Sequence, residues 1–277
     1  MSDEEQSSGG QAPPPVPVVV EPTPEELEAA RLAAIEAIDR DVAAELKRLS
    51  RRGFITAGVA AAAGIGAWEW LRTRPRDASL AWPLRRMLRT NESLAMAYFS
   101  RSRLSPTFAR TRINNPARIN GGLGLTQNYD PENWRLNIEG LASLTLDDIR
   151  SFPRQTMITE LRCIEGWSII VQWSGARLSD VMAKFPPPQL PRYVALETPG
   201  RGYYVGLDIE SAMHPQTLLA YELNGAPLSW QHGAPLRLAI PVKYGIKNIK
   251  RIGTIRYTDV RPADYWAEQG YDWYAGH

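Results

Sequence analysis

The chain has 277 residues, a net charge of +2 and a single cysteine. The near-neutral charge gives no support to a nucleic-acid-binding function, and three histidines are too few for a histidine-based metal cluster. One cysteine cannot form an internal disulfide. The chain beyond the N-terminal region is long enough for one mixed domain that buries its own core without disulfides.

The first 22 residues are rich in Ser, Gly, Pro and Val, a composition that predicts disorder because it buries little apolar surface. Residues 23–49 are predicted to form an amphipathic helix, in which Thr23 is the N-cap and Pro24 occupies the first turn. Its apolar residues recur at three- and four-residue steps and are Leu27, Ile35, Ile38, Val42, Leu46 and Leu49. This stripe suits a surface helix that lies on its own domain or pairs with a copy, and also a helix that binds a partner.

Residues 50–71 resemble a twin-arginine export signal or an anchor segment. Arg51 and Arg52 are followed by Phe54 and an Ala/Gly-rich apolar stretch. The uncharged run of about 16 residues is shorter than the roughly 20 that span a bilayer. No small-x-small cleavage site closes the run, so we expect a retained membrane anchor through residues 53–71. The domain is then expected to be periplasmic or otherwise extracytoplasmic, with helix 23–49 on the cytoplasmic face.

We expect residues 72–109 to be a linker and residues 110–277 to form one mixed α+β domain. In residues 110–277, short strand patterns alternate with helix signals. No GxGxxG or Walker loop is present. The predicted strands lie in 133–140, 156–161, 193–197, 218–223, 235–242 and 249–257. Helices are predicted after the Thr145–Asp148 capping box and over 178–185.

Cys163 follows the 156–161 strand in the run Arg162-Cys163-Ile164-Glu165-Gly166-Trp167-Ser168. A lone cysteine is either a small buried apolar residue or a thiolate ligand for a soft metal. One thiolate is sufficient when a cofactor supplies the other donors.

The Arg162–Ser168 run is one of several motifs that occur in a characteristic order. The others are Met213–Leu218, Asn224-Gly225, Gly233–Leu238 and Pro241–Lys250. Together they resemble the sulfite oxidase superfamily of molybdopterin enzymes, and within it the bacterial periplasmic branch that includes protein-methionine-sulfoxide reductase catalytic subunits. The resemblance covers residues 110–260 and implies a mixed α/β fold around a molybdenum-molybdopterin cofactor. It also implies that Cys163 is the metal ligand and the catalytic residue.

The same resemblance implies a set of cofactor-binding residues: Asn114, Ala117, Arg118, Cys163, Thr198, His232, Arg237, Asn248, Ile249 and Lys250. Arg237, Lys247 and Lys250 would supply positive charge for the cofactor phosphate. An alternative alignment of the early loop with the family motif would use Asn120. At position 232, this chain has a histidine where the proteins of this branch have an asparagine.

A centre of this kind moves one oxygen atom and two electrons, so the sequence leaves two reactions open. These are reduction of an S- or N-oxide and oxidation of a small oxoanion such as sulfite. Arg201, Tyr203 and Tyr204 either converge near the metal, as oxoanion binding would require, or belong to a surface loop.

The chain lacks a Cys-x-x-Cys-His haem motif and a flavin signature, so its electrons must cross to another protein. We therefore expect a membrane haem subunit or a cytochrome as redox partner, beside the twin-arginine export machinery. The alternative from another class is a non-catalytic scaffold subunit of a membrane redox complex.

Overall fold

The computed structural model describes residues 23–77, 79–125, 130, 132–187 and 189–277. The predicted disorder of residues 1–22 lies outside the described residues. The chain divides into two compact units, Met1–Trp70 and Leu71–His277.

The described part of the first unit is helical. Helix α1, Pro24–Arg72, joins the predicted amphipathic helix and the apolar segment without a break. Its first turn has the expected cap, because Thr23 Oγ1 accepts the Glu26 N–H at 3.3 Å and the Glu26 carboxylate accepts the Thr23 N–H at 2.8 Å. Among the described residues, this helix alone is long and apolar enough to cross a membrane, with a mean hydropathy of 1.3. An N-terminal signal sequence passes the same test.

The second unit contains short strands and short helices in alternation. The strands are β1 Arg76–Asp77, β2 Leu80–Ala81, β3 Leu136–Ile138, β4 Ala142–Leu144, β5 Arg154–Arg162, β6 Ser168–Arg177, β7 Tyr193–Glu197, β8 Tyr204–Asp208, β9 Leu218–Leu223, β10 Ala226–Pro227, β11 Arg237–Ala239 and β12 Thr254–Thr258. The helices are α2 Trp82–Tyr98, α3 Leu146–Arg150, α4 Leu178–Lys184, α5 Ile209–Ala212 and α6 Tyr265–Glu268. Four 3₁₀ turns lie at Arg110–Arg112, Pro199–Arg201, Trp230–His232 and Gly245–Lys247.

Two five-stranded sheets form the framework of this unit within the described residues. The first has the order β10-β9-β6-β5, with β11 also paired to β9, and all of its pairs are antiparallel. The second has the order β4-β3-β12-β7-β8, in which only the β12–β3 pair is parallel. The main apolar core takes residues from both sheets, among them Leu136 and Val194 from the second and Ala176 and Leu219 from the first. The mixed fold class that the sequence predicts is confirmed.

The region expected to be a linker is part of the second unit. Residues 72–109 include α2, which starts with a proline in its first turn and whose end leads into Phe99 on the main core. Arg85 Nη2 donates to the Ala267 carbonyl at 2.9 Å, and Arg261 pairs with the buried Glu92 at 2.7 Å. These contacts tie α2 to the C-terminal region. The unit therefore begins near residue 71 and not at residue 110.

Several local predictions match the structure, whereas strands β1, β2, β4, β6, β8 and β10 were not predicted. Thr145 and Asp148 form the expected capping box at the start of α3. Strand β6 gave no alternating pattern because residues 171–176 are all buried, on both faces of a central strand. Strand β8 is short and contains Gly206, so its signal resembles that of a loop.

Candidate functional site

Cys163 lies in the turn of the β5–β6 hairpin, directly after the strand that the sequence predicts to present it. Its backbone N–H donates to the Trp167 carbonyl at 2.9 Å, and its carbonyl accepts the Gly166 N–H at 3.1 Å. Because these two bonds close the turn, the position of the thiol is set by the hairpin itself.

The Cys163 thiol is half-buried, and burial is the main reason that its pKa is raised. The Glu165 carboxylate acts in the same direction, whereas the backbone N–H groups of Glu165 and Ile164 and the charge of Arg118 oppose it. The free thiol is therefore protonated at neutral pH. Coordination to a metal would release that proton.

Gly245 packs closely against the same turn. A Cβ at this position would lie 3.3 Å from the Arg162 carbonyl oxygen and 3.8 Å from Cys163 Cα. The 3₁₀ turn that begins at Gly245 therefore approaches the Cys163 backbone closely because residue 245 has no side chain.

A cavity of about 360 Å³ lies beside Cys163. Its walls come from residues 118–123, the Cys163 turn, the 245–250 segment and aromatic residues near the C-terminal helix α6. The predicted site residues that line it are Arg118, Cys163, Arg237, Asn248 and Lys250. The structure thus brings together residues that are up to 132 positions apart in the sequence, from Arg118 to Lys250.

Arg237 contributes a buried positive charge to the cavity. Its side chain is 3% exposed and lies with its guanidinium 4.7 Å from the centre of the Trp173 ring. The guanidinium donates to the backbone carbonyls of His232 at 2.9 Å and Asn248 at 3.1 Å. Asn248 in turn accepts the Ile240 N–H on its Oδ1 at 2.9 Å. These contacts fix the guanidinium against strand β6, the 230–232 turn and the 245–248 segment.

Lys250 contributes a second buried charge. Its ammonium donates to the backbone carbonyls of Asn120 and Gly121, the latter at 2.8 Å. The neighbouring Gly233 has a φ of +99°, and a Cβ there would lie 2.7 Å from Lys250 Cβ. Only glycine fits this left-handed position so close to the lysine.

Neither Arg237 nor Lys250 is paired with a carboxylate within the described part of the chain. Burial lowers the pKa of Arg237 to about 10. Burial lowers the pKa of Lys250 to about 8, and the charge of Arg237 adds to this effect. Two buried cations without an acid are unfavourable, so this end of the cavity is suited to a bound anion.

Lys247 does not join these two cations, although the sequence groups it with them. Its ammonium donates to Asp264 Oδ2 at 2.5 Å and to the Gly206 carbonyl at 2.8 Å, and both charged side chains are 1% exposed. It does not line the cavity. Its charge is neutralised inside the protein by a carboxylate and cannot serve a ligand there.

Asn114 and Ala117 lie beside the cavity lining and hold the early loop to the first sheet. Asn114 Oδ1 accepts the Ile170 N–H at 2.7 Å, and its carbonyl accepts Asn224 Nδ2 at 3.0 Å. Ala117 packs on a smaller apolar cluster that includes Leu161, Val171 and Trp173. Asn120, which the alternative alignment would use, lines the cavity directly.

Thr198 and Ile249 are buried next to the site without lining the cavity. Thr198 Oγ1 accepts the Tyr203 N–H at 3.0 Å and donates to its carbonyl at 3.1 Å, which fixes the loop between them. Ile249 is fully buried in the main core, and its carbonyl accepts the Leu238 N–H at 2.9 Å.

His232 is half-buried beside the site and does not line the cavity. Its Nδ1 lies 2.8 Å from Ser229 Oγ, whereas its buried Nε2 has no hydrogen-bond partner among the described residues. Burial, followed by the charges of Arg237 and Lys250, lowers the pKa of His232, so the imidazole is neutral at pH 7.

An aromatic wall formed by Tyr203, Trp266 and Tyr271 lines the cavity and was not predicted as a group. Tyr203 Oη donates to the Ile246 carbonyl at 2.5 Å, and the rings of Trp266 and Tyr271 meet edge to face at 5.2 Å. The density of aromatic residues after position 264 was the available signal.

Arg201 and Tyr204 do not converge on Cys163 with Tyr203. Arg201 is exposed and pairs with Glu197 at 3.5 Å. Tyr204 Oη donates to Glu268 Oε2 at 2.6 Å. Of the three residues that could have formed an oxoanion site, only Tyr203 lines the cavity.

The residues present fit a molybdopterin cofactor. The two buried cations lack a carboxylate, His232 Nε2 lacks a partner in the described region, and the Cys163 thiol is free. A group with an anionic phosphate, a polar ring and a thiolate-binding metal matches these three features. Within the described residues, no cluster of three or more His, Cys, Asp or Glu could hold a metal ion by itself. Cys163 would thus be a single protein ligand beside those of the cofactor.

Comparison with known proteins agrees with this chemistry. A family profile described as "Oxidoreductase molybdopterin binding domain" matches residues 123–266. The chain is 32% identical over 206 residues to a putative protein-methionine-sulfoxide reductase subunit, YedZ1, of Azospira oryzae, covering 72% of this chain and 78% of that protein.

Two further relatives are protein-methionine-sulfoxide reductase catalytic subunits named MsrP. The subunit of Ralstonia nicotianae is 32% identical over 78% of this chain and 71% of its own length. The subunit of Xanthomonas campestris is 40% identical over 48% of this chain and 47% of its own length, so the match spans about half of that protein. Among solved structures, the sulfane dehydrogenase SoxCD of Paracoccus pantotrophus is similar at 22% identity, with a TM-score of 0.45 over 48% of this chain and 40% of that chain.

Proposed function

Since this chain belongs to the family of oxidoreductase molybdopterin-binding domains, in the sulfite oxidase superfamily, we propose that it is a molybdenum enzyme that reduces sulfoxides. The chain is an enzyme of the molybdopterin oxidoreductase class. The finer assignment takes the sulfoxide from the methionine-sulfoxide reductase relatives.

The proposal rests on the arrangement of the thiol and the two buried cations around one cavity. Cys163 lies on one wall, and the unpaired Arg237 and Lys250 form a cationic end. The cationic end would hold the cofactor phosphate. Cys163 would provide the thiolate for molybdenum. The bound group supplies the oxygen-atom and two-electron chemistry.

The apolar surroundings of the thiol favour a sulfoxide over an oxoanion. The wall near Cys163 includes Leu161, Ile164 and Ile246, and Arg201 lies outside the cavity. A neutral sulfoxide suits such a wall better than sulfite, which needs converging cations. Arg118, which lines the cavity and whose charge acts on the Cys163 thiol, favours the second candidate, oxidation of a small oxoanion.

The first test is the molybdenum-to-protein ratio of the full chain matured in a host that makes the cofactor. We expect stoichiometric molybdenum in the wild type and an altered electron paramagnetic resonance signal with loss of turnover in Cys163→Ser. Sulfoxides and sulfite are then compared as substrates. Absence of molybdenum from folded, competently matured wild-type protein would contradict the proposal and favour the scaffold role.

The N-terminal helix supports an exported, membrane-anchored enzyme. Arg51 and Arg52 precede the apolar part of α1, and residues 53–71 would form the anchor. A haem protein in or at the membrane would exchange electrons with the centre. N-terminal sequencing of the exported protein tests the anchor, since a mature chain beginning beyond residue 77 would rule it out. Turnover in membranes depleted of haem proteins would rule out the haem partner.

A further inference from the structure

The five residues 117–121, here called the strap, cross the cavity without regular secondary structure. Residues 118–121 all line the cavity that also contains Cys163 and Lys250. A cofactor that reaches from the cationic end to the thiol would therefore lie against the strap.

One end of the strap is held by Lys250. The ammonium donates to the carbonyls of Asn120 and Gly121 and has no carboxylate partner in the described chain. A phosphate at this end would compete with those carbonyls for the N–H groups of Lys250, because charge-assisted bonds to an anion are stronger. Loading of the anion thus weakens this hold on the strap.

The other end of the strap is held by Arg118. Its guanidinium carbon lies 4.5 Å from the centre of the Trp167 ring. Trp167 belongs to the turn that carries Cys163, since its carbonyl accepts the Cys163 N–H at 2.9 Å. The Trp167 indole N–H also donates to Glu165 Oε2 at 2.8 Å, which orients the ring under the arginine. A cation stacked on an oriented indole is an attractive contact.

We propose that Arg118 is a positioning residue that latches the strap to Trp167 and so retains the cofactor once it is bound. Its side chain acts on the strap through Trp167. When the phosphate takes over Lys250, the Arg118–Trp167 contact still holds the strap. The inference rests on the proposed function only in requiring that a cofactor occupies this cavity.

The test measures release of molybdopterin from the purified holoenzyme. The pterin is followed by the fluorescence of its oxidised form after dilution, and the strap is followed by proteinase K cleavage mapped by mass spectrometry. Because Arg118 is exposed, the contact should have the strength of an exposed cation–π pair, so we expect Arg118→Ala to release pterin about 2- to 5-fold faster, with new cleavage inside residues 117–121. Arg118→Lys, which keeps the charge, should restore part of the retention.

Arg112→Ala is the matched control. Arg112 also lies over an aromatic ring, that of Phe108 at 5.2 Å, but outside the cavity. This variant should release pterin at the wild-type rate and should show the wild-type resistance to proteinase K. Release from Arg118→Ala at the wild-type rate, or an equal acceleration in Arg112→Ala, would overturn the latch.

A double-mutant cycle separates the contact from general damage to the fold. Trp167→Leu removes the other partner, and the double variant should release pterin no faster than the faster single variant. Multiplicative effects of the two substitutions would overturn the proposal. If the wild-type protein carries no molybdopterin at all, the proposed function fails, while proteinase K cleavage of the cofactor-free variants still tests the latch.

Discussion

Lys247 and Lys250 are three residues apart, and both are buried, yet the structure uses them in opposite ways. Lys247 is neutralised by Asp264 at 2.5 Å and lies away from the cavity. Within the described residues, Lys250 donates to backbone carbonyls alone, and it lines the cavity beside Arg237. A buried cation with its own carboxylate belongs to the fold. A buried cation without one marks a place for an anion.

The largest loss of stability is expected when the buried Lys247–Asp264 ion pair is broken. Lys247→Met leaves Asp264 buried and uncompensated, which is expected to lower the free energy of unfolding by about 3–5 kcal/mol. Urea unfolding of the cofactor-free protein measures this loss. The double variant Lys247→Met/Asp264→Asn keeps an N-cap side chain for α6 and should recover part of it. A loss below about 1 kcal/mol for Lys247→Met would show that the pair does not hold the fold.

Arg237→Met should change cofactor binding more than it changes the stability of the fold. Removal of a buried cation that lacks an acid is expected to change the stability of the cofactor-free protein by no more than about 1 kcal/mol. Loss of the charge that would attract the phosphate should weaken molybdopterin binding about 10- to 100-fold. Pterin content after maturation and urea unfolding test both parts. A variant that unfolds readily and still retains its pterin would reverse the comparison.

Lys250 predicts a pH dependence with a defined sign. Its pKa in the fold is about 8, below the ordinary 10.5, so between these values the unfolded chain binds more protons than the folded chain. Its contribution to the free energy of unfolding therefore rises with pH over this window. Affinity of the cofactor-free protein for inorganic phosphate should fall above pH 8, by up to about tenfold per pH unit.

Isothermal titration between pH 7 and 9 measures that affinity, in a range below the pKa of about 10 of Arg237. Lys250→Arg is the control, because a guanidinium stays charged throughout. Its affinity should stay flat with pH. An equally steep fall in Lys250→Arg would mean that another group causes the dependence.

The smallest effect is expected at an ion pair on the surface. Arg101 contacts both carboxylate oxygens of Glu210 at 2.6 Å, but both side chains are about half exposed, and solvent screens the pair. Arg101→Ala should lower the free energy of unfolding by less than about 1 kcal/mol, and added salt should reduce the difference. A cost comparable to that of Lys247→Met would remove the distinction between buried and exposed pairs.

Local signals in the sequence were sufficient for part of the fold. The capping box at Thr145, the strand before Cys163 and the short helix after Arg177 all depend on neighbouring residues, and all are present. Strand β6 could not be found in this way, because a strand buried on both faces has no alternating pattern. Helix α2 was missed because its role depends on contacts such as that of Glu92 with Arg261, far along the chain.

The site shows the same limit. Motif order was sufficient to select Cys163, Arg237 and Lys250, which the structure gathers around one cavity. The sequence could not distinguish Lys247 from Lys250, because the difference depends on Asp264, which reaches Lys247 only in the folded chain. The aromatic wall required the same long-range information.

The close approach of Gly245 to the Cys163 turn limits how this redox centre can vary in evolution or in the laboratory. A Cβ at position 245 would lie 3.3 Å from the Arg162 carbonyl oxygen, so a substitution there presses on the turn that carries the thiol. Libraries that aim at new substrates should therefore leave position 245 unchanged. Diversity is better placed at Leu123 and Tyr271, which also line the cavity.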